Sequence, residues 1–162
     1  MESHKAQIIQ YLTSNYIPSP DYYKIKNIIN QEKYVSVHVR RGDYVGKESF
    51  HGLTTKEYFK SGLERIIRDK KNLVVCFSDS IELAKQVCPD CDYYFGPTEI
   101  NDAAAIMIIM SEGIGLIGSN SSLSWWAGYL MNQNTMKIFP SQWFANKEII
   151  TDDLIPPNWI QI

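Results

Sequence analysis

Tyr34-Val35-Ser36-Val37-His38-Val39-Arg40-Arg41-Gly42-Asp43 is the stretch on which the architecture turns. Its first six residues read as a strand, and the run stops abruptly at two arginines, a glycine and an aspartate. The same event recurs along the chain. Residues 73–77 form a buried apolar run that ends in Ser78, Asp79 and Ser80, and residues 114–117 form another that ends in Gly118, Ser119, Asn120, Ser121 and Ser122. Short runs at 93–95 and 136–139 complete the strand set. The spacing predicts helices over 5–13, 21–30, 55–70, 80–87, 102–111 and 121–131, the second opening at Ser19-Pro20-Asp21 and the third capped by Thr54 or Thr55. The tail at 151–162, with Pro156-Pro157, is expected to be a surface-packed end segment.

Apolar strands alternating with helices imply an α/β fold, a doubly wound parallel sheet of the Rossmann-like kind with helices on both faces. Right-handed crossovers then bring every strand's C-terminal end to one edge, outside which ligands bind. No repeat or linker divides the chain, and 162 residues suffice for a single core that buries about two-thirds of the unfolded surface.

Composition removes several function classes. Seven Pro and nine Gly are scattered and 44% of the residues are hydrophobic, which excludes collagen-like and disordered chains. A formal net charge of −2 supplies no field for duplex nucleic acid, so any positive charge used in function must be local. No apolar stretch reaches membrane-spanning length, and the first ten residues carry charges where a secretory signal would be apolar. Cys76, Cys88 and Cys91 are too few for a disulfide framework and point to a reducing compartment. Cys88-Pro89-Asp90-Cys91 spells C-x-x-C, but it follows a helix instead of opening one and lacks the further ligands of a zinc site; a structural turn is expected, with no metal.

The strand exits make an unusually polar edge. Arg40 and Arg41 leave the strand in different directions, so at least one guanidinium can face the crevice and fork onto phosphate oxygens. The cluster from Ser119 to Ser122 adds hydroxyls and the N–H groups of a helix start, whose dipole favours an anion. Together they describe a site for a pyrophosphate. His38 is expected to be buried, hydrogen-bonded and orienting Arg40, and Asp79 to cap the following helix or, failing that, to order an arginine or bind a ribose. Of Trp125 and Trp126, at least one belongs in the core. Gly113-Ile114-Gly115-Leu116-Ile117-Gly118 matches G-x-G-x-x-G by letters, but its glycines fall within a strand rather than in the turn after one, so it is not a dinucleotide fingerprint.

His38-Val39-Arg40-Arg41-Gly42-Asp43-Tyr44, Phe77-Ser78-Asp79-Ser80 and Ser119-Asn120-Ser121-Ser122-Leu123-Ser124-Trp125-Trp126-Ala127 occur in the order and spacing of the α-1,2-fucosyltransferase family, glycosyltransferase family 11. The resemblance runs from about Tyr34 to Trp159. It implies the donor-binding lobe of a two-lobed, metal-independent (GT-B) glycosyltransferase. Such an enzyme transfers L-fucose with inversion from GDP-β-L-fucose to the 2-hydroxyl of a glycan acceptor ending in β-galactose. On this likeness Arg40 and Arg41 grip the donor's phosphates, and Asp43 orients them or approaches the sugar. His38, Ser78, Asp79, Asn120, Ser121 and Ser122 would complete the donor site.

Two departures stand out. The family's guanine-reading carboxylate is replaced by Ile106, with Asp102 one helical turn earlier as candidate substitute. Only residues 1–33, a helical lead-in, precede the donor-binding region at 34–162, where the family has a whole lobe. The expected product is therefore a donor half, weak or inactive alone. A nucleotide-sugar binding module without transfer is the alternative, and a phosphate-binding signalling or hydrolase domain the third. A cytoplasmic, bacterial-type location is expected, with peripheral association of the full-length enzyme with the inner membrane.

Overall fold

A computed structural model describes residues 2–30, 32–67 and 71–162. Two helices, α1 (Glu2–Ser14) and α2 (Pro20–Ile29), lead into β1 (Tyr34–Val39). The Ser19 hydroxyl accepts the Tyr22 N–H to start α2, Pro20 needs no partner there, and Asn30 ends the helix in the left-handed region at φ 51°. A short 3-10 turn (Gly42–Tyr44) and α3 (Glu48–His51) precede α4 (Lys56–Ile66), which Thr55 caps. Then follow β2 (Leu73–Ser78), α5 (Ile81–Val87), β3 (Tyr93–Phe95), α6 (Ala103–Ser111), β4 (Gly115–Ile117), α7 (Ser122–Leu130), β5 (Met136–Phe139) and β6 (Ile160–Gln161).

Among the described residues six strands form one sheet in the order β3-β2-β1-β4-β5-β6, and every pairing is parallel. This is the doubly wound, Rossmann-like order, in which the direction of winding reverses between β1 and β4. The crevice beyond those two carboxyl ends is the place where such a sheet binds ligands.

Alternation along β1 sorts its side chains between two cores. Val35, Val37 and Val39 face one layer with Tyr58 and Phe59 of α4 and Ala84 of α5. Tyr34 faces the other with Ile25 and Ile29 of α2, Ile109 and Met110 of α6, and Ala127 and Tyr129 of α7. All six residues of β1 are buried, as expected for a central parallel strand covered on both faces.

Several expectations shift. The predicted helix over 55–70 runs as Lys56–Ile66, and its residues 68–70 lie outside the described residues. The turn at 42–44 and α3 were not anticipated. The tail does not simply lie on the surface: Ile155 and Trp159 are buried, Trp159 stacks on Phe139 with ring centroids 4.9 Å apart, and Ile160–Gln161 add the sixth strand. Trp125 packs against the core and donates its Nε1–H to the Leu154 carbonyl at 2.7 Å, while Trp126 stays partly exposed.

The glycines of the G-x-G-x-x-G look-alike are there for packing. A Cβ on Gly115 would strike the Ile66 side chain, and one on Gly118 the Phe139 ring. Cys88 ends α5, with its sulfur 3.4 Å from that of Cys91; all three cysteines are free thiols. Among the described residues no group of three or more His, Cys, Asp and Glu is placed to hold a metal ion.

Candidate functional site

Period-two alternation continues past the end of β1, and it separates the two arginines. Arg40 follows the parity of His38 and emerges on the α6/α7 side. Arg41 follows Val39 toward α4, where it is 5% exposed. Its guanidinium donates to the Arg40 carbonyl at 2.9 Å, to the Thr54 hydroxyl at 3.3 Å and, in a short contact, to the Thr54 carbonyl. Burial lowers its pKa and the Asp79 charge opposes that shift. Arg41 thus pins the loop from 42 to 54 and does not point into the crevice.

Arg40 is held open to the crevice. Its guanidinium lies 2.7 Å from Asp43 and 3.2 Å from Asp79, and its backbone N–H donates to the Ser119 hydroxyl at 3.1 Å. Asp79 does not cap α5. Its Oδ1 accepts the Arg41 N–H at 2.8 Å, and the helix cap, Ser80, makes no side-chain capping bond. The local preference for capping loses here to a neighbouring strand that offers an N–H and a cation. Gly42 makes this possible, because a Cβ there would collide with the Asp79 carboxylate.

Ser119 ties the switch point together, donating to the His38 carbonyl at 2.7 Å while accepting from Arg40. The Ser78 hydroxyl is engaged with the Ser80 backbone. Asn120 is a latch: its amide nitrogen reaches the carbonyls of His51, Gly52 and Trp143 at 2.9, 3.1 and 2.8 Å. Ser121, the N-cap residue of α7, makes no side-chain capping bond, and Ser122 is exposed beside it. The helix start therefore offers hydroxyls and N–H groups on the same edge as Arg40.

A crevice of about 230 Å³ beside Arg40 is lined by His38, Arg40, Asp79, Asn101, Ile106 and Leu123 among others. His38 is buried, but its Nδ1 has no hydrogen-bond partner, and it does not orient Arg40 as expected; the two aspartates do. Burial lowers the His38 pKa to about 4, against the pull of Asp79 and with the push of Arg40, so the ring is neutral at pH 7. Ile106 lies in the crevice wall, whereas Asp102 does not stand in for a carboxylate there. Its Oδ1 accepts the N–H groups of Ala104 and Ala105 at the start of α6, and the Ser19 hydroxyl and those N–H groups lower its pKa.

Thr54, Asn101 and Tyr44 were missed as contributors. Tyr44 had a signal, since it ends the first family motif. Its hydroxyl donates to the Asn120 carbonyl at 3.0 Å and the Arg40 guanidinium carbon lies 5.6 Å from its ring centre.

Residues 23–162 match the family model for glycosyl transferase family 11. The chain is 32% identical to an alpha-1,2-colitosyltransferase of Escherichia coli, across 98% of this chain and 57% of that protein. It is 29% identical to the O-antigen biosynthesis glycosyltransferase WbnK of Escherichia coli, across 85% of this chain and 47% of that one. Against a galactoside 2-alpha-L-fucosyltransferase of Caenorhabditis elegans the identity is 26%, covering 76% and 38%. The chain spans about half the length of the relatives it matches.

Proposed function

Because the chain belongs to glycosyl transferase family 11, we propose that it is the donor-binding half of a GT-B glycosyltransferase that transfers L-fucose from GDP-β-L-fucose, with inversion, to the 2-hydroxyl of a β-galactoside. The observation that carries the proposal is Arg40, held between Asp43 and Asp79 at the switch point beside the start of α7. Residues 34–162 form the donor unit and 1–33 lead into it. The diphosphate lies across the α7 N-terminus under the Arg40 guanidinium. The base enters the crevice lined by His38, Ile106 and Leu123, with neutral His38 offering its ring nitrogen and Asn101 its amide.

As the sugar–phosphate C–O bond breaks, negative charge grows on the departing diphosphate. Arg40 and the helix dipole are already in place to stabilise it, so positive charge is supplied without a metal ion. Asp43 keeps the guanidinium aimed, and Arg41 acts from behind by fixing the loop through Thr54. Ser121 and Ser122 add donors at the phosphates. Reaction in the cytoplasm, at the face of the inner membrane for the full-length enzyme, fits a glycan-precursor substrate; no helix among the described residues is long and apolar enough to cross a membrane.

A second reading, in which the site at Arg40 holds a nucleotide sugar without transferring it, rests on the same contacts. Calorimetric titration with GDP, ADP and UDP tests the site, with GDP expected to bind most tightly; equal or absent binding refutes it. Incubation of GDP-fucose with a β-galactoside, with product read by mass spectrometry, separates enzyme from binder.

A further inference from the structure

Cys88-Pro89-Asp90-Cys91 turns the chain from α5 into β3, at the edge of the sheet opposite the crevice. One side chain staples both ends of that turn. The Tyr94 hydroxyl donates to the Cys88 carbonyl at 2.6 Å and accepts the Cys91 N–H at 3.3 Å. The Cys88 and Cys91 sulfurs are thereby held 3.4 Å apart. Cys76 of β2, in register with Tyr94, joins them in the apolar layer under α5. Cys76 and Cys88 are 0% and 1% exposed, whereas Cys91 is partly open to solvent.

This arrangement divides two roles between neighbouring thiols. The thiols of Cys76 and Cys88 donate to the Cys91 sulfur and hold its pKa below the ordinary thiol range. The same contact with Cys91, together with burial, pushes the Cys88 thiol up. Cys91 is therefore the accessible nucleophile and Cys88 the buried, protonated partner that waits beside it. A disulfide needs a sulfur separation of about 2.05 Å, so an approach of about 1.4 Å closes the bond.

We propose that Cys88 and Cys91 form a reversible intramolecular disulfide, a thiol-oxidation site separate from the donor crevice, and that the oxidant is a low-molecular-weight disulfide. The Cys91 thiolate attacks one sulfur of that disulfide, whose S–S bond breaks; half of it leaves as a thiolate and half stays on Cys91 as a mixed disulfide. Cys88 then gives its proton to solvent and attacks the Cys91 sulfur, expelling the second half as a thiolate. The protein has lost two electrons and two protons, and the oxidant has been reduced to two thiols. Tyr94 is a positioning residue, because its hydroxyl fixes the backbone at both cysteines. The product ties the end of α5 to the start of β3 and, lying at a partly exposed turn, is open to reduction by the reverse exchange.

The test equilibrates the full chain with mixtures of reduced and oxidised glutathione, alkylates the thiols that remain, and maps them by mass spectrometry. The peptide carrying residues 88 and 91 is expected to lose two hydrogens as the oxidised fraction rises, with Cys76 left as a thiol, and excess reduced glutathione should restore all three thiols. Cys88→Ser should stop at a glutathione adduct on Cys91. Cys91→Ser should form no bond and react at least about tenfold more slowly, since only buried thiols remain. Tyr94→Phe loses the staple and should lower the equilibrium constant for the disulfide by about fivefold. A lasting glutathione adduct on Cys91 of the unaltered chain, a bond through Cys76, or three free thiols at every ratio overturns the proposal, and these readings need no variant to fold. An unchanged equilibrium in Tyr94→Phe overturns the role of Tyr94.

Discussion

Arg40 and Asp79 face each other across the exits of two neighbouring strands, with 3.2 Å between guanidinium and carboxylate, and the other oxygen of the same carboxylate accepts the Arg41 N–H at 2.8 Å. A partly exposed ion pair adds little to stability. Its effect is directional: Arg40 is kept from sweeping through solvent, and a bound phosphate meets a guanidinium whose ordering has already been achieved.

The two arginines should therefore fail differently. Arg40→Ala is expected to weaken GDP binding by about tenfold or more while moving the melting temperature by less than about 2 °C. Arg41→Ala removes a buried cation and leaves the Thr54 carbonyl without a donor, so the fold should lose about 2–4 kcal/mol, a fall of roughly 5 °C or more. Calorimetry paired with thermal melts checks both. Retained stability with lost binding in Arg41→Ala would reverse the assignment.

His38 makes stability fall in acid. Its folded pKa of about 4 lies below the ordinary 6.5, so the unfolded chain takes up the proton first as the pH drops. Stability from this group is intact above pH 6.5 and declines through pH 4, by about 3 kcal/mol in all. His38→Gln should flatten that part of the profile in urea titrations between pH 7 and 4. An unchanged slope would show that the ring titrates alike in the folded and unfolded chain.

Gly118→Ala should destabilise by about 1–3 kcal/mol, because the new methyl drives into the fully buried Phe139 ring. Nucleotide affinity in the protein that remains folded should hold within about twofold. A glycine used for phosphate approach, as in a dinucleotide fingerprint, would give the opposite pattern.

Asn120→Asp keeps the shape and replaces donors by a carboxylate facing three carbonyls. A loss of about 2–4 kcal/mol is expected. Limited proteolysis should show earlier cleavage at 42–54 and at 141–150 together, and cleavage of only one segment would contradict the latch.

The strand exits were legible because a parallel sheet converts sequence order into place: wherever an apolar run stops, a polar residue reaches one edge. That logic located Arg40, Asp79 and Ser119 without coordinates. It could not say which arginine faced the crevice, because parity gives the difference between neighbours but not which helix layer lies on which side. Asp79 looked like a cap because capping is a local preference, whereas its actual partners sit 38 and 39 residues away in β1's exit. The role of Asp102 was misjudged in the opposite sense, since a long-range role was assigned where a local cap prevails. Trp159 was lost in a proline-rich tail whose burial depends on a groove formed by Gly128 and Phe139.

The Asn120 amide joins the carbonyls of His51 and Gly52 to that of Trp143, and the Ala145 N–H adds a bond to the Phe50 carbonyl at 2.8 Å. The two loops are consequently one cooperative unit: neither opens without breaking the bonds of the other. A ligand that orders the first loop has already met part of the entropy cost of ordering the second, so a molecule arriving at the second binds more tightly, and the coupling acts with equal strength in reverse. One side chain thereby makes the two ends of the sheet's edge fill together rather than independently.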